Sequence, residues 1–107
     1  MTPRLREHPE AAVELVAAIE WYEDQDAGLG ARLADQIAAA WRRVAEWPHA
    51  WPPFPGWDSD PLVRTTRVDV YPYRVVYFVR GEEIVILAYA HARRRPGYWK
   101  HRIEDWR

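Results

Sequence analysis

The sequence predicts a small α+β domain in the order β-α-α-β-β-β, an antiparallel sheet packed by a helical hairpin with a short helical segment at the C-terminus. Two stretches of the first half repeat apolar residues at helical spacing and are parted by glycines. The second half carries runs of β-branched and aromatic residues divided by turn formers. A proline-rich segment between them fits neither pattern. A chain of 107 residues is one domain, spanning 1–107, and can bury a sufficient core without staples.

The residues from Thr2 to His8 are short and partly alternating, with Leu5 between Arg4 and Arg6, which predicts a weak edge strand. His8-Pro9-Glu10 then opens a helix, because proline suits a first turn and glutamate complements a helix N-terminus. Ala12, Leu15, Val16, Ile19 and Tyr22 form its expected apolar face, while Glu10, Glu14, Glu20, Glu23 and Asp24 make the rest acidic. Asp26-Ala27-Gly28-Leu29-Gly30 breaks the pattern, its two glycines ending one helix and permitting a turn. A second helix runs from about Ala31 to Glu46, with Leu33, Ile37, Ala40, Trp41 and Val44 on one face, and Pro48 stops it. The two form an antiparallel α-hairpin.

Residues 47–61 hold five prolines and one glycine, which forbid a helix or a central strand. Trp47, Trp51, Phe54 and Trp57 either pin this loop to the body or offer aromatic faces to a partner. Leu62 to Tyr71 is a plausible strand, and Pro72 breaks it. The centre of the chain's organisation follows, from Tyr71 to Trp99. Val75 to Val79 and Ile84 to Leu87 are two strands, and Arg80-Gly81-Glu82-Glu83 is the turn between them, with Gly81 free to take positive φ. Three sequential strands predict an antiparallel meander with both helices on one face. A short helical segment follows Pro96.

The composition, 49% hydrophobic and 29% charged, is that of a globular protein and excludes a disordered chain. The net charge of −1 hides an asymmetry. Residues 1–61 set five arginines against eleven acids, a net −6, and residues 62–107 set nine arginines and Lys100 against five acids, a net +5. Either the second half presents a basic face able to attract phosphate or an acidic partner, or the halves neutralise each other across the fold. With no cysteine, disulfides, thiolate metal sites and a cysteine nucleophile are excluded. The four histidines share no ligand-like spacing and no glycine loop cradles phosphate, so neither metal nor cofactor is expected. No secretory signal and no apolar run near the ~20 residues of a membrane span is visible. The expected location is the cytoplasm.

Several segments, in this order, resemble the RelE/ParE superfamily, toxins of bacterial type II toxin–antitoxin modules. They are Pro9-Glu10-Ala11, Trp21-Tyr22-Glu23, Gly28-Leu29-Gly30, Tyr71-Pro72-Tyr73-Arg74-Val75-Val76-Tyr77, Ile86-Leu87-Ala88-Tyr89-Ala90-His91, and Arg94-Arg95-Pro96 with Tyr98-Trp99. The resemblance covers essentially the whole chain. It implies a small α+β toxin, a growth inhibitor neutralised by a cognate antitoxin protein. RelE-like members cleave messenger RNA within the ribosome, whereas ParE-like members inhibit DNA gyrase.

In the ribonuclease branch the resemblance points to Arg74, His91, Arg94 and Tyr98 as catalytic. Such cleavage needs cations for the phosphorane-like charge and an acid and base for the moving protons. Arg93 is an alternative for Arg94, and His91 and Tyr98 are alternative acid/base groups. In the gyrase branch no catalytic residue is required. There Arg93, Arg94, Arg95, Lys100 and Arg102 supply charge to the target surface, with Tyr98 and Trp99 as contact area. Asp58, Asp60 and the acidic first hairpin oppose binding to ribosomal RNA, which favours the gyrase branch. A non-toxic nucleic-acid-binding module is the third reading. Tyr73, Tyr77 and Tyr89 are candidates for an antitoxin groove, the alternative being that they lie under the chain's own helices.

Overall fold

The computed structural model describes residues 3–106; Thr2, placed in the expected first strand, lies outside them. The elements are β1 (Arg4–Glu7), α1 (Pro9–Gln25), α2 (Leu29–Glu46), β2 (Val63–Arg67), β3 (Tyr73–Arg80), β4 (Glu83–His91) and a C-terminal 3-10 segment (Lys100–Trp106). The predicted element order holds. The sheet runs β1-β4-β3-β2, its last three strands forming the antiparallel meander. β1 joins the other edge in parallel to β4, an addition that makes the sheet mixed.

Both faces of the sheet are covered, which is why β3 and β4 read as nearly continuous apolar runs rather than alternating ones. The helical hairpin covers one face, packing Ala11, Ala18, Leu33, Ile37, Ala40 and Val44 against Val75, Tyr77, Ile84, Ile86 and Tyr89. Burying Leu33 or Ile37 there contributes about 1.5–3 kcal/mol each. The opposite face holds Val63, Val76, Phe78, Val85, Leu87 and Ala88 beneath Trp99 and Ile103 of the C-terminal region. Phe54 and Trp57 of the proline-rich loop close this second core, each ring within 5.5 Å of Trp99. The loop aromatics therefore anchor the loop, apart from Trp47, which is exposed.

The face of α1 is the expected one in part, with Leu15, Ile19 and Tyr22 packed against the core. Ala11 and Ala18 point inward while Val16 is exposed. This helix has apolar residues on several sides, so periodicity alone does not select the buried face. Gly30 also differs from expectation: it lies inside α2 rather than in the turn. A Cβ there would stand 2.7 Å from the Ile19 carbonyl oxygen, so glycine permits the close approach of the two helices. Gly28 makes the turn alone, at φ +94°. Because glycine has no capping side chain, the Glu23 carboxylate caps α2 instead, accepting from the Gly28 and Gly30 N–H groups at 3.0 Å.

β4 carries a bulge that the run of residues does not announce. Val76 pairs with Ala88 and Tyr77 with Ile86, leaving Leu87 as the extra residue. Leu87 and Ala88 then both face the second core, and the alternation restarts one residue out of step.

Candidate functional site

The sheet face that carries the second core is left open near the end of the meander. There, β2, β3, the end of β4 and the turn at residues 92–99 enclose a cleft of about 330 Å³. Alternation along β2 and β3 puts Thr65, Arg67, Arg74 and Val76 on this one face. Arg67 and Arg74 are directly paired across the two strands. Arg94 and Arg95 line the cleft from the turn, and Tyr71, Tyr73 and Phe54 supply aromatic walls. Among the described residues no carboxylate lines it.

Arg74 is exposed and, among the described residues, has no ion pair; Asp69 lies beside Arg43 instead, at 3.9 Å. His91 ends β4. Its Nδ1 accepts from the Arg93 N–H at 3.0 Å, so the neutral ring carries its proton on Nε2. In that form His91 is a donor rather than a base. Its ring meets Tyr73 edge-on at 5.1 Å. Arg93 and Arg95 are exposed, and the Arg94 guanidinium lies 4.0 Å over the Tyr98 ring.

Tyr98 donates its hydroxyl to Glu14 Oε2 at 2.5 Å. Burial and then this bond to a carboxylate hold its pKa far above the ordinary phenol value. A general base needs the opposite shift. The structure thus brings Arg74, His91, Arg94 and Tyr98 around one cleft, yet leaves both proton-transfer candidates in forms unsuited to abstracting a proton.

Two residues expected at the target surface are inside. Trp99 is 1% exposed and is the centre of the second core. Arg102 is 4% exposed and bonds Glu14 and the Leu87 carbonyl. A buried guanidinium already paired with Glu14 offers no charge to a partner. Lys100 stays exposed, 5.8 Å from the Trp57 ring.

Of the three tyrosines expected in an antitoxin groove, Tyr77 is buried beneath the helical hairpin and bonds the Pro48 carbonyl at 2.8 Å. Its pKa is pushed up to about 12 by that burial. Tyr89 is also buried, accepting from Trp41 Nε1 at 2.9 Å and donating to Glu7. Tyr73 is half-exposed. Together with Trp21, Ala17 and Tyr98, it and Tyr89 border a second groove of about 260 Å³ between α1 and β4. Val13, Val16 and Trp21 on the outer side of α1 are more than half exposed.

Thr65 and Arg67 stand in an ordinary-looking strand, and only the pairing with β3 brings them to the face of Arg74. His8, Glu10 and Asp105 lie close enough together to suggest a cation site. However, His8 Nδ1 accepts from the Glu10 N–H, and Nε2 donates to Asp105 at 2.6 Å. Neither ring nitrogen keeps a lone pair for a metal. The trio instead caps α1 and ties down the C-terminal segment. Among the described residues no helix is long and apolar enough to cross a membrane.

The family model of the ParE toxin of type II toxin–antitoxin systems, parDE, matches residues 5–96. Among solved structures, a chain of the chromosomal ParDE TA system from P. aeruginosa is similar, at 21% identity and a TM-score of 0.69. That match covers 84% of this chain and 96% of that one. At this identity the likeness concerns the fold. No curated protein sequence matches.

Proposed function

The chain belongs to the ParE toxin family of type II toxin–antitoxin systems, and from that premise we propose that it arrests growth by binding DNA gyrase. It is the toxin component of such a system, and its partner is an antitoxin. The observation that supports gyrase over messenger RNA is the state of the proton-transfer groups. Tyr98 is held protonated against Glu14 and His91 is turned to donate, whereas Arg93 and Arg95 stand exposed and unpaired among the described residues. Charge without a base suits binding rather than cleavage. Arg93, Arg94, Arg95 and Lys100 are the residues we assign to the gyrase contact.

The antitoxin is assigned to the outer side of α1 and the adjoining groove. Val13, Val16 and Trp21 expose apolar surface on that side of the helix, and Trp21 borders the groove with Tyr73. An amphipathic segment would cover this surface. The toxin is proposed to act in the cytoplasm, where gyrase works.

Expression of the chain without antitoxin, followed by plasmid supercoiling and transcript mapping, tests the target. Loss of supercoiling with intact transcripts is expected, and an R93A/R94A/R95A variant should lose the effect while remaining folded. Cleaved transcripts with unchanged supercoiling would replace gyrase by the ribosome.

A further inference from the structure

We propose that the cavity between the α1–α2 turn and the β2–β3 turn is a docking surface whose occupant is a basic amphipathic segment of a partner protein. The segment seats an apolar side chain against Val70 and Tyr71 and sets its cations on Asp35 and the acids of the helical turn. None of the arginines assigned to gyrase borders this cavity, and it asks for a partner of the opposite charge. It therefore goes beyond the gyrase reading and stands without it.

The cavity measures about 490 Å³ and is walled by Tyr22, Leu29, Val70 and Tyr71. Its walls are braced from within the chain. Tyr71 donates its hydroxyl to the Leu29 carbonyl at 3.2 Å, and the Tyr22 and Tyr71 rings meet edge-on at 5.0 Å. The β2–β3 turn is closed by the Val68 N–H, which bonds the Tyr73 carbonyl at 3.0 Å. A preformed wall loses little conformational freedom on binding.

Val70 is the residue that folding does not account for. It stands almost fully exposed and at positive φ, where a β-branched side chain is strained. Its neighbours in the turn do pack: Val68 is buried, and Tyr71 lies against the helical core. An apolar side chain presented this way gains burial only from a second molecule. Apolar surface continues from it across the cavity. Tyr71 meets Tyr22, and Tyr22 meets Trp21, itself more than half exposed, edge-on at 5.0 Å.

Charge selects the occupant. From Glu20 to Gln36 the chain carries Glu20, Glu23, Asp24, Asp26 and Asp35 against Arg32 alone. Glu23 is committed to the Gly28 and Gly30 N–H groups. Glu20, Asp24, Asp26 and Asp35 are exposed and form no ion pair among the described residues. Asp35 borders the cavity itself. This field repels nucleic acid and acidic segments, and it attracts lysine or arginine beside an apolar anchor. A second copy of the chain is disfavoured, because a two-fold interface through this surface would set the same acids against each other.

Selection from a random dodecapeptide library displayed on phage tests this, with the purified chain as bait and an Asp35→Lys/Val70→Asn variant as counter-bait. Recovered peptides should place an apolar residue among lysines or arginines. Synthesised, they should bind the chain and weaken about tenfold or more with either single substitution. Both positions are exposed and asparagine suits positive φ, so melting temperatures should hold and weaker binding cannot be put down to unfolding. Sedimentation of the chain and of Val70→Asn should give the same mass. Acidic or uncharged peptides, peptides whose binding ignores both substitutions, an empty selection, or a mass that falls on Val70→Asn would overturn the proposal.

Discussion

Glu14 and Arg102 meet at the stretch of β4 that β1 leaves uncovered. β1 pairs with Glu83 to Ile86 and then turns into α1, so the backbone beyond Ile86 has no strand on that side. The bulge turns the Leu87 carbonyl outward after that of Ile86, which bonds the His8 N–H. Arg102 Nη1 donates to Leu87 O at 2.9 Å, Glu14 Oε1 accepts from the Tyr89 N–H at 3.1 Å, and the two side chains bond each other at 3.0 Å. An ion pair stands in for the missing strand residues and ties the helical layer to the C-terminal layer.

Removing one member strands the other and leaves a backbone group unsatisfied as well. Arg102→Met should cost about 3–5 kcal/mol in denaturant unfolding, and Glu14→Gln somewhat less because its side chain is more exposed. The double variant should lose clearly less than the sum of the two. Strict additivity would mean that the pair does not act as a unit.

Gly30→Ala should destabilise by about 1–3 kcal/mol, since its methyl would meet the backbone oxygen of Ile19 rather than a side chain that can yield. Gly28→Ala has open space around it and loses only what positive φ costs, about 1 kcal/mol. Thermal melts of the two variants should therefore rank them in that order. The reverse ranking would show that the helices part easily.

The contrast between these glycines shows where sequence reasoning runs out. Helix spacing, proline stops and the turn at Gly81 are local signals, and the element order was legible from them. Gly30 looked like a turn residue because its role lies in a neighbouring helix. Trp99 and Arg102 looked like surface groups because a basic, aromatic segment gives no sign of what it packs against. Their partners, Glu14 for Arg102 and Phe54 for Trp99, are distant in sequence, and a bulge such as that at Leu87 has no composition of its own. At the site, Arg74, His91, Arg94 and Tyr98 did converge, because they flank one hairpin. Arg67 and Thr65 needed the strand register.

Val70 holds φ +75° in the turn between β2 and β3, a conformation hostile to a β-branched side chain, and is 93% exposed. With no packing to lose, Val70→Gly should raise stability by roughly 1 kcal/mol, the relief of strain exceeding the added chain entropy of the unfolded state. An unchanged or lower melting midpoint would show that the turn relaxes around valine. Antitoxin or gyrase binding measured on the same variant tells whether the exposed valine also serves contact.

The buried tyrosines predict an alkaline limit to stability. Burial raises the pKa of Tyr77 to about 12, and burial together with a carboxylate bond raises Tyr89 and Tyr98. In the unfolded chain each titrates near its ordinary value of about 10. A group whose folded pKa is raised contributes its full stabilisation below the unfolded pKa and loses it as pH climbs through the folded one. The folded protein should thus lose stability from about pH 10 upward, the Tyr77 share being gone above about pH 12. Ultraviolet titration should show the exposed part of the six tyrosines ionising smoothly and the rest appearing only with unfolding. Tyr98→Phe removes the hydroxyl that Glu14 accepts and should shrink the delayed fraction without changing toxicity. If instead Tyr98 were found to ionise near neutrality, it would qualify as a base, and the ribonuclease reading would regain the group it lacks.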